Sequence, residues 1–122
     1  MISKDSFFVK RLKSIGYAFK GAYLLITTEA SLKVQFVIGI LMTIAGIYYE
    51  LSPIEWVIQI FAIALIMALE GINTAIEEMA DFIHPEQHKK IGLIKDLAAG
   101  AVFIFAVASV IIGCIIYIPK IF

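Results

Sequence analysis

Charge is scarce in this chain of 122 residues: Asp, Glu, Lys and Arg make up 16%, against about 25% in an ordinary soluble domain. Neither sign is in excess. Ten basic and ten acidic residues give a formal net charge of zero, which argues against a nucleic-acid partner and against an acidic disordered tail. The single cysteine, Cys114, excludes an internal disulfide and any multi-cysteine metal site. It sits in an apolar run and reads as a small hydrophobe. There is no G-x-x-x-x-G-K-S/T loop, no G-x-G-x-x-G loop and no Ser-His-Asp order suited to a triad. His84 and His88, four apart beside Pro85, make no metal motif by themselves. No internal repeat is present, and the first residues lack the layout of a signal peptide. What fills the space is apolar: 61% of the residues are hydrophobic, where a soluble domain has about 45–50%. So short a chain cannot cover that surface with polar side chains. The expected fold is an all-α integral membrane protein, one domain over residues 1–122.

Three stretches carry the hydrophobicity. They run from Val34 to Tyr49, from Trp56 to Leu69 and on toward Asp81, and from Leu97 to Ile118. A spanning helix needs about 20 mostly apolar residues, so transmembrane helices are expected over 32–49, 54–82 and 95–118. Ser52-Pro53 starts the second and His84-Pro85 breaks it, while Pro119 closes the third. Tyr48, Tyr49 and Trp56 suit an interfacial aromatic belt. Before the first span, Phe7, Phe8, Leu12, Ile15, Phe19, Tyr23 and Ile26 recur near helical spacing among Lys10, Arg11, Lys13 and Lys20. That pattern predicts an amphipathic helix over 5–30 lying in the membrane interface. Lys4 to Lys20 and Lys89, Lys90 and Lys95 flank the spans on one side. The positive-inside rule then places the N-terminus and the 82–95 loop in the cytoplasm.

Glu70, Asn73, Thr74, Glu77 and Asp81 are out of place in such a chain. At about 100° per residue they fall within an arc of about 100° on one helix face. An ionisable group inside a membrane helix costs about 2.5–3.5 kcal/mol on insertion scales. Asn and Thr alone would serve helix–helix hydrogen bonding more cheaply, so the glutamates point to chemistry. Glu78 falls off this face and reads as a headgroup-level residue. Glu29 lies in Thr27-Thr28-Glu29-Ala30-Ser31 ahead of the first span, where a capping role is the plain reading. Glu86, Gln87, His88, Lys89 and Lys90 form the loop, and Lys95-Asp96 opens the last helix. Cations beside carboxylates suit a phosphate-bearing ligand and its metal. Lys89 and Lys90 read more simply as solvated loop residues, whereas an anion near Lys95 would also feel a helix N-terminus.

These residues carry a resemblance. Glu70-Gly71-Ile72-Asn73-Thr74-Ala75-Ile76-Glu77, then Asp81, then Lys95-Asp96-Leu97-Ala98-Ala99-Gly100-Ala101-Val102, resemble the signature of the prokaryotic diacylglycerol kinase family. The likeness extends to Gly16-Tyr17, Lys20-Gly21, Glu29, Leu51-Ser52, Glu55-Trp56 and Ile118-Pro119-Lys120, and so covers essentially the whole chain. Asn73-Thr74-Ala75 and Ala98-Ala99-Gly100 look closer to the undecaprenol kinase branch of Gram-positive bacteria. That branch usually shows E-x-N-x-x-x-H after its first glutamate; here Ser31 and Gln35 stand at those two positions.

The resemblance implies ATP-dependent phosphorylation of a membrane lipid alcohol at the bacterial cytoplasmic membrane, undecaprenol favoured and diacylglycerol next. It implies a homotrimer with shared sites. Glu29 and Glu77 resemble carboxylates that hold Mg²⁺ on the ATP phosphates. Glu70 resembles the general base for the lipid hydroxyl, with Asn73 positioning the reacting groups. Lys10, Tyr17, Glu86, Gln87, His88, Lys95 and Asp96 fall at nucleotide-contacting positions. The small side chain of Ala99, with its neighbours, offers the lipid a close approach. The rival class is a small proton-coupled multidrug-type transporter. It would use Glu70 but leaves Glu29, Glu77 and Lys95-Asp96 together without a purpose.

Overall fold

The computed structural model describes residues 6–86 and 88–122; Lys4, Asp5 and Gln87, which enter the reading above, lie outside the described residues. Four helices follow one another: α1 Phe7–Thr28, α2 Ala30–Tyr48, α3 Pro53–Ile83 and α4 Lys89–Ile121. The last three are long and apolar enough to cross a membrane. The protein is thus a multi-pass, all-helical membrane protein, with no strand among the described residues.

Local chemistry explains the boundaries. Ser52 and Glu55 form a reciprocal capping box at the start of α3. The Glu55 N–H donates to Ser52 Oγ at 3.2 Å and the Ser52 N–H to Glu55 Oε1 at 2.9 Å. Pro53 fills the first helical position, where its missing N–H is harmless. The turn before it is closed by Glu50 in the left-handed region, φ 53°. The Leu51 N–H then reaches back to the Gly46 carbonyl at 3.1 Å, a Schellman-type closure.

α4 begins earlier than the sequence suggests. His88 caps it, Nδ1 accepting the Lys90 N–H at 3.1 Å, so the helix starts at Lys89 and not at residue 95. A side-chain cap on the loop outweighs the run of polar residues. Lys95 and Asp96 accordingly stand in the second turn and do not open the helix. Pro119 lies inside α4, which continues to Ile121. Proline has no N–H to give the carbonyl four residues back and crowds it, so Pro119 weakens the last turn, and the helix ends two residues on.

α3 and α4 run antiparallel, in a register marked by three contacts. Asp81 meets Lys95, Gln59 meets Tyr117 and Glu55 meets Lys120. α2 packs along the same half of α3, where Gln59 Nε2 donates to the Met42 carbonyl at 2.9 Å. Gly46 permits the closest approach. A Cβ there would stand 2.7 Å from the Trp56 ring and 3.0 Å from Leu51. Trp56 therefore packs inward on the cluster of Leu51, Ile116 and Tyr117 instead of serving only a lipid-facing belt.

Buried polar groups inside a membrane must be satisfied by protein. The Tyr117 hydroxyl lies 2.5 Å from Gln59 Oε1 and 3.2 Å from the Met42 carbonyl, which ties all three spans together. Tyr117→Phe would leave Gln59 Oε1 short of a partner. Interhelical hydrogen bonds in membranes average about 0.6 kcal/mol and reach about 1.7, so a loss of about 1 kcal/mol is expected. Thermal unfolding in detergent should show it, and the double variant with Gln59→Leu should recover part of it.

Within each span only 17% of the most apolar window is buried inside the chain. α1 has no buried residue at all. Most apolar surface of the single chain therefore faces lipid or other chains.

Candidate functional site

The antiparallel order brings four chain segments to one end of the bundle: the α1–α2 joint, the end of α3, the loop, and the start of α4. α2, with 19 residues, extends about 28 Å at 1.5 Å per residue, about the hydrocarbon thickness. α3 has 31 residues and is about 18 Å longer by the same rise. Since α2 and α3 are matched at the Trp56 end, the surplus lies at the other end. Glu70 therefore stands near the level where α2 begins, and Glu77 and Asp81 stand beyond it. Measured against α2, the charges stand at the level of its first residues and beyond, not beside its middle.

The stripe on α3 is graded in burial. Asn73 is 7% exposed, Glu70, Thr74 and Glu77 are half-buried, and Asp81 is exposed. Asn73 Nδ2 donates to Glu77 Oε1 at 3.4 Å, one turn on. Asn73 Oδ1 is buried without a partner. An orphaned buried acceptor of this kind is costly, and it marks the stripe as arranged for something other than closing on itself.

Glu29 is the only residue between α1 and α2. Its backbone is extended, φ −92° and ψ 121°, and its side chain makes no capping bond. The capping role is thus not what the carboxylate does. Glu29 lines a cleft with Thr28 of α1 and with Gly71, Thr74, Ala75 and Glu78 of α3. Glu77 is not on that cleft. Glu78, passed over as a headgroup-level residue, is. The signal available was only adjacency: a helix turned by 100° exchanges one neighbour for the next.

Lys95 pairs with Asp81 across the α3–α4 hairpin, Nζ to Oδ1 at 2.5 Å. Both residues line an open pocket of about 490 Å³ with His84, Pro85, Glu86, His88 and Lys89. The rings of His84 and His88 are 5.2 Å apart. Of the candidate nucleotide contacts, then, Glu86, His88 and Lys95 are brought together. Asp96 and Ala99 are exposed on α4 and line neither cleft. Lys10 and Tyr17 are exposed on α1, with Tyr17 72% accessible, and they also line neither.

A divalent cation can be tested against these donors. No group of three or more His, Cys, Asp or Glu side chains among the described residues forms a cage. Mg²⁺ does not need one, because it binds through one or two carboxylates and takes its remaining ligands from phosphates and water. Hard carboxylate oxygens, with the Glu29 side chain uncommitted to its helix cap, fit that ion.

The fold and these clusters define a class: a helical membrane protein with three long apolar helices, and with carboxylates and a pocket of mixed charge gathered at one end of the bundle. The sequence model of the family described as Prokaryotic diacylglycerol kinase matches residues 16–117. The chain belongs to this family and is a lipid kinase. It is 40% identical over 108 residues to the undecaprenol kinase of Bacillus subtilis, covering 88% of each chain. It is 30% identical over 116 residues to the diacylglycerol kinase of Escherichia coli, covering 95% of each. A diacylglycerol kinase of Synechocystis is 30% identical over 109 residues, 88% of this chain and 62% of that protein. The family membership leaves the transporter reading without support.

Proposed function

We propose that the chain transfers the γ-phosphoryl group of ATP to the hydroxyl of a membrane lipid alcohol, with undecaprenol preferred to diacylglycerol. The observation that carries the reading is the gathering of Glu29, the Glu70–Asp81 stripe and Lys95 at one membrane face. Only there do a water-soluble nucleotide and a lipid hydroxyl meet. The higher identity to an undecaprenol kinase supports the choice of lipid.

In this reading Glu70 accepts the proton of the lipid hydroxyl as its oxygen attacks the γ-phosphorus. The bond to the β–γ bridging oxygen breaks and ADP leaves. Asn73 holds Glu77 in place through the bond between them. Glu29 and Glu77 hold Mg²⁺, which when bound neutralises charge on the phosphates. Lys95, Glu86 and His88 contact the nucleotide from the hairpin pocket, joined by Gln87, Asp96, Lys10 and Tyr17. Phosphoryl transfer asks for positioning and charge neutralisation more than for covalent steps. The exposed positions of Lys10, Tyr17, Asp96 and Ala99 accord with a homotrimer in which neighbours complete each site. The uncovered span surfaces call for the same partners. α1 lies in the interface, its exposed Phe7, Phe8, Leu12, Ile15 and Phe19 toward acyl chains. The N-terminus and the hairpin between α3 and α4 face the cytoplasm.

The test is a radiolabelled-ATP assay of purified protein in mixed micelles, against undecaprenol, diacylglycerol and ceramide. Tail contacts discriminate by about 1–3 kcal/mol, so a preference is expected and not exclusivity. Undecaprenol should show the higher kcat/KM, with diacylglycerol detectable. A preference for diacylglycerol at equal mole fraction would overturn the choice of lipid alone. No labelled lipid in any arm would overturn the reading.

A further inference from the structure

Gly71 follows Glu70 on the polar end of α3 and is buried. A Cβ built on it would meet Leu25 Cδ1 of α1 at 2.9 Å, with Leu25 Cδ2 at 4.0 Å. The leucine methyls occupy the notch that the missing side chain leaves. This contact matters because α1 has little else to hold it. It buries no residue of its own, and it joins α2 through a single extended residue, Glu29. A helix hinged on one residue can swing. Leu25 lies one turn before the hinge, and its carbonyl accepts the Glu29 N–H at 3.1 Å. Seating Leu25 on α3 therefore fixes the hinge as well. Gly71, Leu25 and Glu29 all line the same cleft, with Thr74 and Glu78.

We propose that Gly71 is a positioning residue: its notch seats Leu25, and that seat holds the α1–α2 hinge so that the Glu29 carboxylate faces the α3 carboxylates to receive a divalent cation. This rests on the reading of Glu29 as a cation ligand. The hinge residue and the ligand are one residue, so a small swing of α1 displaces the carboxylate directly. Loss of a residue that orients a metal ligand costs about 10–100-fold in metal affinity.

The experiment compares substitutions that refill the notch by different amounts. Gly71→Ala adds one methyl against the far end of a flexible leucine, which can rotate away, so little change is expected. Gly71→Val fills the notch with two carbons more than alanine and should press Leu25 out of it. Mn²⁺ binding, read by electron paramagnetic resonance with a non-hydrolysable ATP analogue, should weaken by about tenfold, the low end of what loss of an orienting residue costs. The KM for the metal nucleotide should rise while the KM for the lipid stays the same. Leu25→Ala placed in the Gly71→Val chain moves the bulk from α1 to α3 and keeps the contact filled, so it should restore most of the Mn²⁺ affinity. Leu25→Phe with Gly71 intact presses on the same contact from the other helix and should weaken Mn²⁺ binding even if Gly71→Val does not fold. A folded Gly71→Val or Leu25→Phe protein that binds Mn²⁺ like the parent overturns the proposal, as does a loss that Leu25→Ala does not recover. Glu29→Gln with Gly71 intact separates the premises: if it leaves Mn²⁺ binding unchanged, Glu29 is not a ligand and the cation reading itself fails.

Discussion

Glu77→Gln should abolish lipid phosphorylation in a protein that keeps its fold. The substitution preserves shape and removes one charge. Glutamine Oε1 can still accept the hydrogen bond from Asn73 Nδ2, which spans 3.4 Å in the parent, so the local packing has no reason to change. What disappears is a formal negative charge in a half-buried setting where a hard cation needs it. Weaker binding of the metal nucleotide should accompany the loss of turnover, and elution and thermal unfolding should match the parent. Glu78→Gln is the necessary companion, because Glu78 and not Glu77 lines the cleft that holds Glu29. If Glu78→Gln abolishes activity and Glu77→Gln does not, the pair that holds the ion is Glu29 with Glu78. If neither affects it, the metal assignment is wrong on both counts.

Glu70→Gln should lower turnover by about 10²–10⁴-fold, the contribution of a positioned general base. Glu70 precedes the notch at Gly71 and stands near the level where α2 begins, which suits a group that meets a lipid hydroxyl at the membrane face. The proposed role involves the acceptor, not the nucleotide, so affinity for the metal nucleotide should stay within about twofold, which is under about 0.5 kcal/mol. Single-turnover measurement in mixed micelles separates the two quantities. A fall in nucleotide affinity in step with turnover would move Glu70 into the metal site and leave the base unassigned.

The sequence was most legible where a rule acts within one helix. The stripe from Glu70 to Asp81 is readable because a helical period of 3.6 residues decides which side chains share a face, whatever packs against them. The capping box of Ser52 and Glu55 sits within four residues, and its hydrogen bonds are local. The start of α4 is less legible, because a charged segment reads as a loop. One histidine cap on its first turn extends the helix back to Lys89. Glu29 reads as a cap, yet it is the single extended residue that joins two helices, and its side chain makes no capping bond.

By itself the sequence determined that this chain suits a membrane, that three of its stretches are long and apolar enough to span one, and that carboxylates line one face of the second. These follow from composition and from helical periodicity, both of which are properties of short segments. Only the tertiary structure decided which partner each charge meets. Lys95 faces Asp81 because α3 and α4 are held in a register that also matches Gln59 to Tyr117 and Glu55 to Lys120. Glu29 and Glu78 line one cleft, in which Leu25 of α1 meets the notch at Gly71 of α3. Register between helices is set by such contacts, between residues far apart in the chain, where a missing side chain on one helix admits a bulky one from another. No local period encodes that match.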